Sequence, residues 1–165
     1  MVREISAGGV VIRKGKGGWR MAAIELPLAL ANGAPRSTRR AAQRPKRVIA
    51  LPKGLVDAGE PPLETALREV REETGLTAVP ITKLADIKYV YVRSWGDGER
   101  VFKVVSFYLL RYHSGRINDI VPEMRIEVKR AFWTRLHQAP ALLSYKGERD
   151  IARLALEYLE SKPDP

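Results

Sequence analysis

The sequence predicts a mixed α/β sandwich in a single domain. Three observations lead there. Strand-like apolar runs lie on both sides of a helix-period stretch near residues 63–74, turn residues join neighbouring runs as hairpins, and a second amphipathic stretch closes the chain. With 165 residues, 45 % of them hydrophobic, the chain is long enough for one core and shows neither an internal repeat nor a second domain.

Each element follows in order. Arg3 to Arg13 reads as a strand with small residues in its middle, and Arg20 to Leu26 as its return. The glycine-rich turn between them, Lys14 to Gly18, resembles a phosphate loop only superficially. It lacks the lysine spacing and no helix follows, so a hairpin is expected. Val48 to Leu51 is a short apolar strand, and Pro52 to Pro62 is expected to be a loop. The helix over Leu63 to Thr74 places Leu63, Ala66, Leu67, Val70 and Thr74 on one stripe, and Gly75 stops it. Runs at Ile81 to Val92 and Arg100 to Tyr112 flank the turn signal Asp97-Gly98. A strand over Glu127 to Thr134, a short helix near Leu136 to Leu143 and an amphipathic helix over Glu148 to Leu159 complete the chain.

Composition narrows the chemistry. The chain has no cysteine, which excludes disulfides and thiolate metal sites. Its two histidines, His113 and His137, lack ligand spacing, so any metal site must be built from oxygen and suits magnesium, manganese or calcium. No apolar run approaches a membrane span and no leader is apparent, so a cytoplasmic protein without a membrane partner is expected. A net charge of +10 favours a polyanionic partner, whether nucleotide, polyphosphate or nucleic acid. Nothing in the sequence calls for an obligate protein partner. From Leu28 to Lys46 the chain loses periodicity and carries Arg36, Arg39, Arg40, Arg44 and Lys46. Two readings stay open for this basic insertion: a flexible solvated segment, or a flap that grips phosphates.

The acidic helix carries the functional signal. At about 100° per residue, Glu69, Glu72 and Glu73 fall in one arc away from the apolar stripe. Glu69 and Glu73 are like-charged i, i+4 neighbours, and no basic residue lies three or four positions from Glu69. Arg68 sits four before Glu72 and can hold that carboxylate. Carboxylates gathered in this way repel unless a hard divalent cation sits among them. Upstream, Gly54 has the backbone freedom to turn its carbonyl towards such a cation.

The stretch Gly54 to Leu76 resembles the Nudix box, G-x5-E-x7-R-E-U-x-E-E-x-G-U with U a bulky aliphatic, at every defined position. Ala7-Gly-Gly-Val-Val-Ile-Arg13 likewise resembles the first strand of Nudix domains. The resemblance implies an α/β/α sandwich around a mixed sheet over residues 1–165, with the insertion 28–46 standing outside the likeness. It implies a Nudix pyrophosphohydrolase that uses Mg2+, with Mn2+ as a substitute, to cleave a phosphoanhydride bond of a small nucleoside polyphosphate. Glu69 and Glu73, the Gly54 carbonyl and Glu127 would hold the metal, with Glu123 as the alternative to Glu127. Glu72 would ligate a further metal or accept a proton, Arg68 would hold Glu72, and which of Glu72 and Glu73 is the base stays open.

Three segments resemble the diadenosine tetraphosphate hydrolase branch: Leu51-Pro-Lys-Gly54, Arg100-Val-Phe-Lys103 and Ser144-Tyr-Lys-Gly147. They imply Lys53 and Lys103 on the phosphates, and Tyr145 and Lys146 at the adenine. Tyr89 and Tyr91 either line a base pocket or pack the strands. Lys53, Lys103 and Tyr145 also have plain structural readings, as a loop tether, a strand charge and a core cover. An RNA 5′-end or inositol pyrophosphate substrate is the competing enzyme reading, and a nucleotide-binding regulator the non-enzymatic one.

Overall fold

In the computed structural model, residues 1–28 and 47–165 are described; the basic insertion, apart from Leu28, lies outside them. A seven-stranded mixed sheet dominates, built from β1 (Val2–Gly15), β2 (Gly18–Leu26), β3 (Val48–Ala50), β4 (Lys53–Leu55), β5 (Leu76–Val92), β6 (Arg100–Gly115) and β7 (Arg130–Arg135). The strand order is β3-β2-β1-β6-β5, with β4 added to β1 and β7 to β2. Three helices accompany it: α1 (Pro62–Thr74), α2 (Ala139–Leu142) and α3 (Lys146–Ser161).

Strand alternation explains the layers. On β1, Val10 and Ile12 join Ile151, Ala152, Ala155 and Leu159 of α3 in one cluster, while the intervening Val11 packs with Val70 of α1 in another. The sheet is therefore clothed on opposite faces by α1 and α3, the sandwich that the sequence predicts. Full burial of Val70 alone contributes about 2 kcal/mol. Gly75, at φ +84°, closes α1 in the left-handed conformation, as its place after the last helical turn predicts. None of the described helices is long and apolar enough to cross a membrane.

The structure corrects several expectations. Residues 52–62 are not all loop, because Lys53–Leu55 pairs antiparallel with Ser6–Gly8 as β4. β5 begins at Leu76 rather than Ile81. Pro80 is tolerated within it because β5 lies at the sheet edge and its register shifts there. The last strand begins at Arg130, not Glu127. Amides of Glu127 and Val128 donate to the Met124 carbonyl at 3.0 and 2.8 Å, so Glu127 sits in a turn instead of the ladder.

Candidate active site

The site forms where β4 crosses the first strand and lies against α1. Glu69 and Glu73 are only 7 % and 4 % exposed, so their face of α1 is not the open surface that its polar arc suggests. β4 covers it. Gly54 permits the approach: a side chain there would fall on the Glu69 carboxylate. Gly54 lies in a regular strand, so what it supplies here is the missing side chain and not an unusual backbone angle. That replaces the reason expected from sequence.

Burial pushes the Glu73 carboxyl well above the ordinary range, and the neighbouring Glu69 charge pushes it further. Glu69 is also raised, first by burial and then by the charge of Glu72, against the opposing pull of Arg68. Holding two buried carboxyls side by side costs free energy unless a proton or a cation lies between them. The Lys53 amide donates to Glu73 Oε1 at 2.9 Å and fixes that carboxyl on the cleft side of β4.

Arg68 organises the other side. Its Nε and Nη2 donate to the two oxygens of Glu60, each at 2.9 Å, while Nη1 reaches Glu69 Oε1 at 2.9 Å and Glu72 Oε2 at 3.2 Å. Nη2 also donates to the Leu55 carbonyl at 3.2 Å, tying α1 to β4. The Glu60 carboxyl, which also accepts from Thr65 Oγ1 at 2.5 Å, falls to about 2, chiefly through the Arg68 hydrogen bond. Arg68 thus reaches Glu69 from the adjacent position, a contact that i, i+4 spacing does not suggest.

Beside the acidic pair opens a cleft of about 520 Å³ whose lining includes Glu69, Glu73, Gly54, Lys53, Lys103 and Glu127. Lys53 and Lys103 supply its positive wall. Burial lowers the Lys103 ammonium, and the nearby Lys53 charge lowers it further. Burial is also the largest influence on Lys53 and lowers it, but Glu148, Tyr89 and Glu73 together outweigh it and raise that ammonium. Lys103 lies on β6, interior to the sheet, and not on an edge. Directly opposite it across the ladder stand Glu4 and Tyr89.

Tyr145 lies beside Lys53, whose Nζ is 5.8 Å from the ring centre, and also packs on the Ile24–Ala50 cluster. Tyr89 and Tyr91 are tilted neighbours, 6.2 Å between ring centres. Burial and a hydrogen bond with Glu4 push the Tyr91 phenol up to about 12. Lys146 stands apart: its Nζ pairs with Asp150 at 3.1 Å on the exposed first turn of α3. Both Glu127 and Glu123 are exposed, and of the two only Glu127 lines the cleft. Among the described residues no three acidic or histidine side chains form a ready-made metal cluster.

Three residues of the site were missed in the sequence. Glu60 belongs to the motif, but its role as the anchor of Arg68 is visible only in space. Glu148 is buried, accepting from the Leu51 amide at 2.6 Å and Lys53 Nζ at 3.3 Å across more than ninety positions, which no local pattern announces. Ser6 has a buried hydroxyl without a hydrogen-bond partner among the described residues, on the wall of the cleft.

Comparison with known proteins bears on the family and the fold. A family model described as NUDIX domain matches residues 36–155. The chain is 35 % identical over 159 residues to a protein designated mutator protein MutT4 of Mycobacterium tuberculosis, covering 96 % of this chain and 57 % of that one. It therefore spans little more than half the length of that relative. It is 32 % identical over 118 residues to the asymmetrical bis(5′-nucleosyl)-tetraphosphatase of Mus musculus, covering 68 % of this chain and 72 % of that one. Among solved structures, a C. elegans Ap4A hydrolase binary complex superposes with a TM-score of 0.67 at 20 % identity, over 96 % of this chain and 98 % of the other, a likeness of fold.

Proposed function

This chain belongs to the NUDIX domain family, and from that premise we propose that it is a pyrophosphohydrolase acting on dinucleoside polyphosphates, with diadenosine tetraphosphate, cleaved to ATP and AMP, as the favoured substrate. The observation that carries the reading is the buried Glu69–Glu73 pair beside Gly54, facing a cleft that Lys53 and Lys103 also line. Two relatives named for this chemistry, the mouse tetraphosphatase and the C. elegans Ap4A hydrolase, support the choice of substrate.

The residues present fit a divalent cation. Two adjacent buried carboxyls, raised by burial and by each other, are relieved by a hard positive charge, and their oxygens are the donors that magnesium or manganese prefers. Glu69 and Glu73 would hold it, with the Gly54 carbonyl, Glu127 of the cleft lining and Glu72 as further oxygen donors. Such an ion neutralises phosphate oxygens and makes a water molecule more acidic. Arg68, locked on Glu60, keeps Glu69 and Glu72 from swinging away. Lys53 and Lys103 meet the charge of the outer phosphates. Glu72, held by Arg68, would accept the proton of the attacking water, with Glu73 as the alternative base. Tyr145 offers an aromatic face for a base next to Lys53.

Tyr145→Ala tests the dinucleotide claim. It is expected to raise KM for diadenosine tetraphosphate by about tenfold, from a stacking loss of about 1.5 kcal/mol, and to leave inorganic polyphosphate almost unaffected. Equal effects on both substrates would remove the stacking role. The rival reading, hydrolysis at RNA 5′ ends, predicts turnover of RNA that weakens steeply with salt.

A further inference from the structure

A second group of cationic side chains lies far from the cleft. On three adjacent strands, Arg13 of β1 stands directly opposite Arg20 of β2, and Arg20 directly opposite Arg135 of β7. Cross-strand partners share a face, so the three arginines occupy neighbouring register positions on one face of the sheet. The face is that of α1: Val11, Ala22 and Trp133, two positions from these arginines along the same strands, pack with Val70. Ser6, at the cleft, lies seven residues back along β1 from Arg13, about 23 Å away.

Like charges set opposite one another destabilise a sheet, and none of the three has an acidic partner among the described residues. The row is nevertheless held in place. Arg13 stacks on Tyr112 at 4.6 Å and on Trp133 at 5.8 Å, and those rings meet edge to face at 5.7 Å. Arg20 folds over Gly15, where a Cβ would meet its Nε at 2.8 Å. Arg13 and Arg135 are exposed.

We infer that the Arg13–Arg20–Arg135 row is a binding surface for the phosphodiester backbone of single-stranded nucleic acid. Guanidinium groups favour phosphate through forked hydrogen bonds, and three of them on one sheet face, two of them exposed, suit a ligand that carries several phosphates. An acidic protein fits less well. None of the large exposed apolar side chains, Ile5, Leu55, Val90, Val92, Trp95 and Ile126 among them, belongs to this row, so a protein partner would find little to bury there. The net charge of +10 points the same way.

The test measures binding of a 20-nucleotide RNA with a 5′-hydroxyl, and of DNA of the same sequence, as salt is raised. The RNA lacks a pyrophosphate, so cleavage does not confuse the readout. The triple variant Arg13→Ser, Arg20→Ser, Arg135→Ser should reduce the slope of log affinity against log salt by about 2, with RNA and DNA affected alike. Turnover of diadenosine tetraphosphate should stay within about twofold of the parent, because the row is remote from the cleft. Since Arg13 covers two rings, the double variant Arg20→Ser, Arg135→Ser provides the same test with that cover intact, and should lower the slope by about 1.4. An unchanged slope in the double variant overturns the inference. So does competition by poly-glutamate as strong as that by the nucleic acid.

Discussion

Replacing Glu73 by glutamine is expected to lower magnesium-dependent turnover by about 10³-fold while leaving the protein folded. The figure corresponds to about 4 kcal/mol of transition-state stabilisation withdrawn when a metal is lost from its place. A steady-state assay on diadenosine tetraphosphate reads it directly. The same substitution makes an opposite prediction for stability without metal. Both Glu69 and Glu73 are raised above the ordinary carboxylate value of 4.5, so at these groups the folded state binds more protons than the unfolded state. Their contribution is complete below that value and is lost as pH rises through the elevated folded values. In chelator, the parent protein should therefore melt at lower temperature at pH 8 than at pH 5, and magnesium should restore the difference. Glu73→Gln, which cannot ionise, should flatten that dependence. A variant with full turnover would refute the metal role of Glu73.

Arg68→Ala should be the most damaging change among the residues that do not face the cleft directly. Its guanidinium joins Glu60, Glu69, Glu72 and the Leu55 carbonyl, and removal leaves three carboxylates without their cation. Breaking a buried pair costs about 3–5 kcal/mol, but the Arg68 side chain is 29 % exposed, so screening reduces the expected loss to about 2 kcal/mol. Turnover should fall about 10- to 100-fold, the effect of losing a group that orients ligands. Arg68→Lys should rescue little, because one ammonium cannot reproduce the fork on Glu60. Chemical denaturation and the turnover assay check the two halves separately, and recovery of both by lysine would show that charge alone suffices.

Much of this arrangement was legible in the chain. The 3.6-residue period of Ala66, Val70 and Thr74, the Gly75 stop and the strand over Arg3 to Arg13 are local signals, and the structure follows them. The acid cluster on α1 was legible as a cluster, but its burial was not. A helical wheel cannot reveal that Lys53–Leu55 folds across the polar arc, since Pro52 and Gly54 hide a strand only three residues long. Glu148 was illegible for a related reason: its partners, Lys53 of β4 and Leu51 just before it, lie far away in sequence, and only tertiary packing brings them together. Glu127 reads as the start of a strand, whereas the Met124 carbonyl captures the amides that would have extended the ladder.

Manganese binding followed by electron paramagnetic resonance tests most directly whether Glu69 and Glu73 form a divalent-cation seat. The parent protein should bind Mn2+ that Mg2+ displaces, and Glu69→Gln and Glu73→Gln should each weaken that binding by at least about tenfold. Unaltered Mn2+ affinity in both variants would contradict the account at its foundation.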